Sequence, residues 1–578
     1  MAPPAPEDRA DLVDPSMLLD GILSVAAFLA IGLGVGLPLA LRLPVTAAER
    51  LCAGIVFSLG LSYLGGFASF LAGRSPAWAG LLVPVAAVAF LGQRRALRDL
   101  LADPEVRVQL AAWAWLAGWG LALLAVVRVY SGGNLVGDWL EHYQRSFYYA
   151  GSLPPDYRFI GMYTLPARPP LTNVVTAVLL GLTRFDFAHF QFFMTLQGSL
   201  CLFPLALLAR RFAAGPRGVV WILAVLLAIN PLFAENLVYS WTKLQSAFFV
   251  LAGLAFLLEG RAGGSFVRAQ LAFASLALGC LSHYSAGVYL VVLVALFLLG
   301  QASARPTFGV LRWGWAVLAA EGGAIFATWF PWSMHAFGSG TTYASNTTVA
   351  SYLGRSLVRA LHDFLLNTFN LLVPHFLRGG HDDFIATQGR WGPLRDFWFF
   401  AFQQELPLIA GFGGAVVLAW ITFGRRWRPA SAFWPLFVAG VIVLGVAVND
   451  LTNVWGYAHI CCQPLAYTTV ALIAARWNEL PARWRALAVT GYAADAALGI
   501  VLPFALQSVD LLDLVRHHGY SAFMIAGNYG TAGSLNLLAK QSLHLPFFAD
   551  VLGSPLAAGA VAAGFLAFAL GCVRRGRA

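Results

Sequence analysis

The segment Gly137-Asp138-Trp139-Leu140-Glu141-His142-Tyr143-Gln144-Arg145 sets two carboxylates, an imidazole and a guanidinium close together in the chain. On a helix, Asp138, Glu141, His142 and Arg145 fall at i, i+3, i+4 and i+7, which is one face. Such a stripe can carry a general base with groups that orient it and balance its charge. The bland alternative is a solvated amphipathic helix whose charges pair along its surface. Against it, Asp138 and Glu141 follow directly on an apolar run, where charge is costly unless used. Further on, Tyr163-Thr164-Leu165-Pro166-Ala167-Arg168-Pro169-Pro170 sets Arg168 before a proline pair that pins the backbone. An arginine on a stiff turn suits bidentate contact with phosphate, the alternative being a snorkelling side chain at the headgroup level.

A second group lies in Asn230-Pro231-Leu232-Phe233-Ala234-Glu235-Asn236-Leu237-Val238-Tyr239-Ser240-Trp241-Thr242-Lys243. Glu235, Tyr239 and Lys243 are spaced four apart, which predicts one shared helical face. Lys243 is the first lysine of the chain, and Lys540 is the other. Ser282-His283-Tyr284-Ser285 reads as a tight turn on the same side, where a histidine serves either structure or substrate. In a third segment, His381-Asp382-Asp383 offers an imidazole and two carboxylates to a divalent cation, although adjacent residues rarely converge on one ion. The segment 350–372 sets Arg355, Arg359, His362 and Asp363 against leucines, the pattern of an interfacial helix beside the site.

The elements that position these groups follow from composition. Hydrophobic residues make up 59% of the chain, charged residues only 11%, and the mean hydropathy is +0.71. Soluble domains carry about 25% charged residues. Apolar runs of membrane-crossing length, about 17–25 residues, recur between short polar stretches. They predict an all-α polytopic bundle of about 15 spans, at 17–41, 51–72, 76–92, 109–127, 187–209, 218–232, 244–258, 267–282, 284–300, 313–332, 405–423, 432–448, 458–475, 486–505 and 549–572. The run 171–183 is too short to cross and reads as an interfacial or re-entrant helix.

Charge gives the bundle sides. With the C-terminal arginines inside, the inside connections hold 22 of the 37 basic residues and only six of the 27 acidic ones. The net charge of +10 therefore reports the positive-inside rule rather than a nucleic-acid partner. The expected order is an outer tail at 1–16, helices at 17–127, a first large outer loop with juxtamembrane helices at 128–186 and a core at 187–332. An outer loop at 333–404, helices at 405–505, an outer loop at 506–548 and a last helix with a basic cytoplasmic tail at 549–578 follow. The N-terminus and all long loops are expected outside, the C-terminus inside. The six cysteines show no metal-ligand spacing.

The acidic motif of the first outer loop, the Arg168-Pro169-Pro170-Leu171 turn and the Asn230-Pro231…Glu235-Asn236 motif together resemble the GT-C superfamily of integral membrane glycosyltransferases. That superfamily includes protein mannosyltransferases and aminoarabinose and arabinofuranosyl transferases. The resemblance spans roughly 109–300. It implies a GT-C-like helix bundle acting on a polyprenyl-phosphate-linked sugar donor, with transfer to a glycan, lipid or protein acceptor at the outer face of a bacterial inner membrane. By the same resemblance Asp138 is the catalytic acidic position, Glu141 its near alternative, Glu235 the acid of the second loop and Arg168 a donor-phosphate contact. His142, Arg145, Tyr239, Lys243 and His283 would line the substrate. No cofactor is required, and a divalent cation remains an option. The chain departs from the pattern in its additional spans ahead of the motif loop and in having no globular C-terminal domain.

Two rival readings use other residues. Glu321 and Asp495 fall inside spans and would suit a proton-coupled transporter or flippase, although no internal repeat supports one. A membrane O-acyltransferase or glycan polymerase would use His283 or His142.

Overall fold

The computed structural model describes residues 15–126, 138–151, 153–159, 163–213, 218–263, 265–303, 311–345, 356–378, 392–424, 432–449 and 461–503. The regular elements among these residues are helices, and the antiparallel pair Phe159–Tyr163 is an isolated bridge. The N-terminal helices are α1 (Pro15–Phe28), which continues as one apolar rod to Ala40, and α2 (Ala47–Leu71). Next come α3 (Leu82–Gly92), α4 (Arg94–Ala102) and α5 (Pro104–Val126). The segment that follows contributes α6 (Asp138–Tyr149) and α7 (Leu171–Leu182). The core continues with α8 (Phe187–Ser199), α9 (Leu202–Phe212), α10 (Val219–Ile229), α11 (Pro231–Val238), α12 (Lys243–Gly263), α13 (Phe266–Ser282) and α14 (Ala286–Ser303). Beyond it lie α15 (Leu311–Ala327), α16 (Phe330–Phe337), α17 (Ser339–Ala344), α18 (Leu357–Leu372) and α19 (Gly392–Gln404). The described chain ends with α20 (Gly411–Phe423), α21 (Phe433–Ala447), α22 (Gln463–Arg476) and α23 (Ala482–Ala496).

Among the described residues, four helices are long and apolar enough to cross a membrane, or six if two bent pairs each count as one span. The expected count of about 15 is therefore not reproduced. Several apolar runs do fold as helices but stop short. Gly411–Phe423, for instance, has 13 residues, about 20 Å at the helical rise. The run 218–232 breaks at Asn230: α10 and α11 meet at 74°. Pro231 has no N–H to continue α10, while the Asn230 side chain accepts from Phe233 N at 2.9 Å and starts a new helix. Leu171–Leu182 forms a helix that the rest of the protein buries on nearly every face. Residues 506–548 and 549–572 lie outside the described part.

Close helix approaches hold the core. α12 packs along α13, and a Cβ at Gly253 would come within 2.8 Å of Leu276. α20 crosses α23 where a Cβ on Gly491 would meet the Gly413 backbone nitrogen at 2.6 Å. Ion pairs fix one end of the bundle. Arg268 reaches Glu49 with Nε at 2.5 Å and Nη2 at 2.7 Å, across 219 residues of sequence. Arg211 pairs with Glu259 at 2.9 Å, and Arg210 pairs with Glu105. All six residues belong to connections assigned to the same side by charge counting, so these connections converge in space.

Candidate active site

The site grows from α6. Glu141 is fully buried and accepts from Arg145, one turn along, through Nε at 2.9 Å and Nη2 at 2.6 Å. Its other oxygen lies 3.3 Å from Arg168 Nη2. Arg145 then spends its remaining donors on backbone carbonyls, Leu165 O at 2.6 Å and Thr164 O at 3.0 Å. One arginine thus joins α6 to the turn that carries the other. The Phe159–Tyr163 bridge completes the arrangement. It sets the Phe159 ring 4.3 Å from the Arg145 guanidinium carbon and the Tyr163 ring 4.9 Å from that of Arg168.

The charges follow from this geometry. Burial opposes ionisation of Glu141, but the two guanidiniums, Arg168 foremost, hold its carboxyl below the usual range. Burial pushes His142 down to about 3, with Glu141 opposing and Arg168 and Arg145 assisting. His142 is therefore neutral at physiological pH, with Nδ1 3.2 Å from Asn173 Oδ1 on α7. One carboxylate balances one of the two arginines. The net cation faces the mouth through Arg168, whose side chain keeps 15% of its surface exposed while that of Arg145 keeps 1%.

The α13–α14 turn closes over the same corner. Tyr284 donates to Pro166 O at 3.0 Å, and Thr172 pairs with Ser282 at 2.7 Å. His283 lies within electrostatic reach of Lys243, Arg168 and His142, and burial followed by these neighbours lowers it well below its ordinary value. Its Nδ1 sits 2.8 Å from Ser285 Oγ. Lys243 stacks over Trp241 at 3.7 Å and lines a small cleft with Ser246, Ser285, Tyr289 and Gln463. Glu141, His142, Arg145, Arg168, Lys243 and His283 are thus brought to one corner.

Asp138 is the first residue of α6, one turn before Glu141, and its side chain lies outside the described part. Glu235 is buried on α11, where its neighbour Asn236 bridges Gln403 at 2.7 Å and Gln463 at 2.8 Å. The shared face expected for Glu235, Tyr239 and Lys243 does not form. α11 ends at Val238, Ser240 takes φ 45°, and Lys243 opens α12 in a new direction. Tyr239 instead packs its ring 4.0 Å from Trp241. His381, Asp382 and Asp383 lie outside the described residues. Among those described, no group of three histidine, cysteine or acidic residues is placed to hold a metal ion.

Several polar residues of the site carry no pattern a sequence reader would pick out. Asn173 sits inside an apolar helix, and Tyr284 works through its hydroxyl against a carbonyl 118 residues away. After α18, His375 Nδ1 lies 2.6 Å from the buried Glu405 carboxylate, with Arg378 at 3.5 Å. Asp495, one of the transporter candidates, accepts from Phe412 N at 2.7 Å and Gly413 N at 3.0 Å. It caps the start of α20, a structural use of a buried acid.

No family model and no curated protein matches the chain. Among solved structures it is similar to ArnT from Cupriavidus metallidurans in the apo state, with 17% identity, a TM-score of 0.46, and 82% of this chain and 77% of that chain covered. It is also similar to the same protein bound to undecaprenyl phosphate, with 16% identity, a TM-score of 0.45, and 82% and 78% coverage. Superposition at that level assigns neither family nor activity.

Proposed function

We propose that the chain is a membrane glycosyltransferase that moves a sugar from a polyprenyl-phosphate-linked donor to an acceptor hydroxyl at the outer face of the membrane. The observation that carries this reading is the pair of arginines on Glu141. The pairing fixes Arg168 at the edge of a buried corner with surplus positive charge, beside Lys243 and His283. A leaving phosphate needs such a preorganised cationic seat. Glu141 is committed to that seat, which leaves Asp138, one turn earlier on the same face, as the general base for the acceptor hydroxyl. Arg145 positions Arg168 by holding the Thr164 and Leu165 carbonyls, and neutral His142 and His283 offer hydrogen bonds rather than charge. The motifs that resemble the GT-C superfamily point the same way, as does the concentration of polar groups in the outer loops. Glu235 is a second acid of the same machinery, placed on α11.

The transporter reading loses one of its two acids to the α20 cap. Glu321 keeps it open, since its Oε2 is buried with no hydrogen-bond partner among the described residues. The separating test is transfer from a polyprenyl-phosphate sugar by Asp138→Asn and Glu321→Gln in proteoliposomes. Loss in the first and retention in the second supports transferase chemistry, and the reverse pattern supports transport.

A further inference from the structure

Charge counting places six acids, Glu49, Asp99, Asp103, Glu105, Glu259 and Glu479, on the arginine-rich side of the bundle. Four of them are engaged: Glu49 by Arg268, Glu105 by Arg210, Glu259 by Arg211 and Glu479 by Arg476. A fifth, Asp103, starts α5 by accepting from Glu105 N at 2.8 Å and Val106 N at 3.1 Å. Only Asp99 is left to answer the arginines of α4. Arg94, Arg95 and Arg98 are all exposed there, and they pair with no acid among the described residues. Three guanidiniums against one carboxylate leave this short helix at +2.

The sequence of α4 sorts by side. At 100° per residue Arg94, Arg98, Arg95 and Asp99 share an arc of about 140°, and Ala96, Leu97, Leu100 and Leu101 fill the opposite one. Leu100 is buried, and α4 packs along α5. The helix leaves the apolar element Pro76–Gly92 at 89°. Along that element Leu81, Val85, Val88 and Leu91 recur every three or four residues and are 59%, 65%, 69% and 76% exposed. One apolar stripe therefore ends three residues before Arg94.

We propose that the bend between α3 and α4 is a docking surface for an anionic phospholipid. An acyl chain lies along the stripe that ends at Leu91, and the phosphodiester meets Arg94, Arg95 and Arg98. Guanidiniums bind phosphate oxygens in pairs, which gives the headgroup a fixed seat. Charge decides which lipid docks. An anionic headgroup offsets the surplus on α4, whereas a zwitterionic one brings its own cation and gains less. The inference does not depend on the transferase reading.

The test is native mass spectrometry of the delipidated full-length protein in a non-ionic detergent, titrated with phosphatidylglycerol, phosphatidylcholine or glycerol 3-phosphate. Phosphatidylglycerol should bind more tightly than phosphatidylcholine, and glycerol 3-phosphate, the headgroup without its chains, should not displace it. Arg98→Gln should weaken phosphatidylglycerol about fivefold, the scale of one basic residue at an anionic surface. The triple variant Arg94→Gln/Arg95→Gln/Arg98→Gln should weaken it about a hundredfold and remove the preference over phosphatidylcholine. Should the triple variant not fold, Arg98→Gln carries the test alone. Arg483→Gln removes an equally exposed charge elsewhere on the same side and should leave binding unchanged. Four results would overturn the docking surface: equal binding of the two lipids, Arg98→Gln or the triple variant binding as the unaltered chain does, a loss in Arg483→Gln as large as in Arg98→Gln, or displacement by glycerol 3-phosphate.

Discussion

Arg145 Nη2 and Arg168 Nη2 approach the two oxygens of one buried carboxylate, that of Glu141, at 2.6 Å and 3.3 Å. This relationship turns a stripe of charges on one helix into a link between α6 and the turn that carries Arg168. It also distinguishes residues that hold the site from those that meet substrate.

Glu141→Gln should therefore behave as a structural lesion. Removing one partner of a buried charge cluster leaves uncompensated charge and costs about 3–5 kcal/mol. Thermal unfolding in detergent should show a lower midpoint together with lost activity. Because the Glu141 carboxyl is held below its ordinary range, the unfolded state binds more protons on acidification. Its stabilisation is full above the unfolded value and is lost as pH falls through the lower folded one. The variant should lack that acid-side loss.

His142 gives a second pH signature. With its folded value near 3 against an ordinary 6.5, the unfolded state holds the extra proton between those values. Stability should rise with pH across that window and level off above it. His142→Asn should flatten this rise. A pH–rate profile with an inflection near 6.5 that disappears in the variant would contradict the assignment of a neutral, buried His142.

Arg145→Lys tests the difference between charge and fork. A lysine keeps the charge but offers three donors on one nitrogen in place of the four bonds that Arg145 makes through Nε, Nη1 and Nη2. We expect a loss of about 2 kcal/mol or more in stability and weaker donor binding through a displaced Arg168. An unchanged donor affinity would show that Arg168 is positioned without this link.

Gly411 sits at φ +76°, where a Cβ would run into the Asp495 carboxylate. Gly411→Ala should destabilise the protein by more than the ~1 kcal/mol left-handed penalty alone. Asp495→Asn should lower stability through the lost cap while leaving transfer measurable. Loss of ion-coupled transport with unchanged stability would contradict the cap.

α18 turns its polar residues Asp363, Asn367 and Asn370 inward and exposes Leu357, Val358, Leu361 and Leu365. Spin labels at 358, 361 and 365 should be more accessible to dissolved oxygen than to a water-soluble nickel chelate, as expected for a face against acyl chains. The opposite order would place this face in water.

The sequence made some of these features readable and hid others for physical reasons. The one-face spacing of Asp138, Glu141 and Arg145 was readable, but spacing alone does not tell a base with its orienter from an ion pair. The second partner, Arg168, lies 27 residues on and was joined to Glu141 only by folding. Charge counting grouped Glu49 with Arg268, and the fold brings them into contact. Hydropathy does not register a bend such as the one at Asn230-Pro231, which splits one apolar run into two short helices. The same bend, with the positive φ of Ser240, broke the face expected for Glu235, Tyr239 and Lys243.

The measurement closest to the central claim is single-turnover transfer from a radiolabelled polyprenyl-phosphate sugar in proteoliposomes, comparing Asp138→Asn and Arg168→Ala with the unaltered chain. Asp138→Asn should slow the chemical step by about 10²–10⁴-fold with donor binding retained, the range of a lost general base. Arg168→Ala should weaken donor binding as well as slow transfer. Transfer by Asp138→Asn at the unaltered rate would contradict the account.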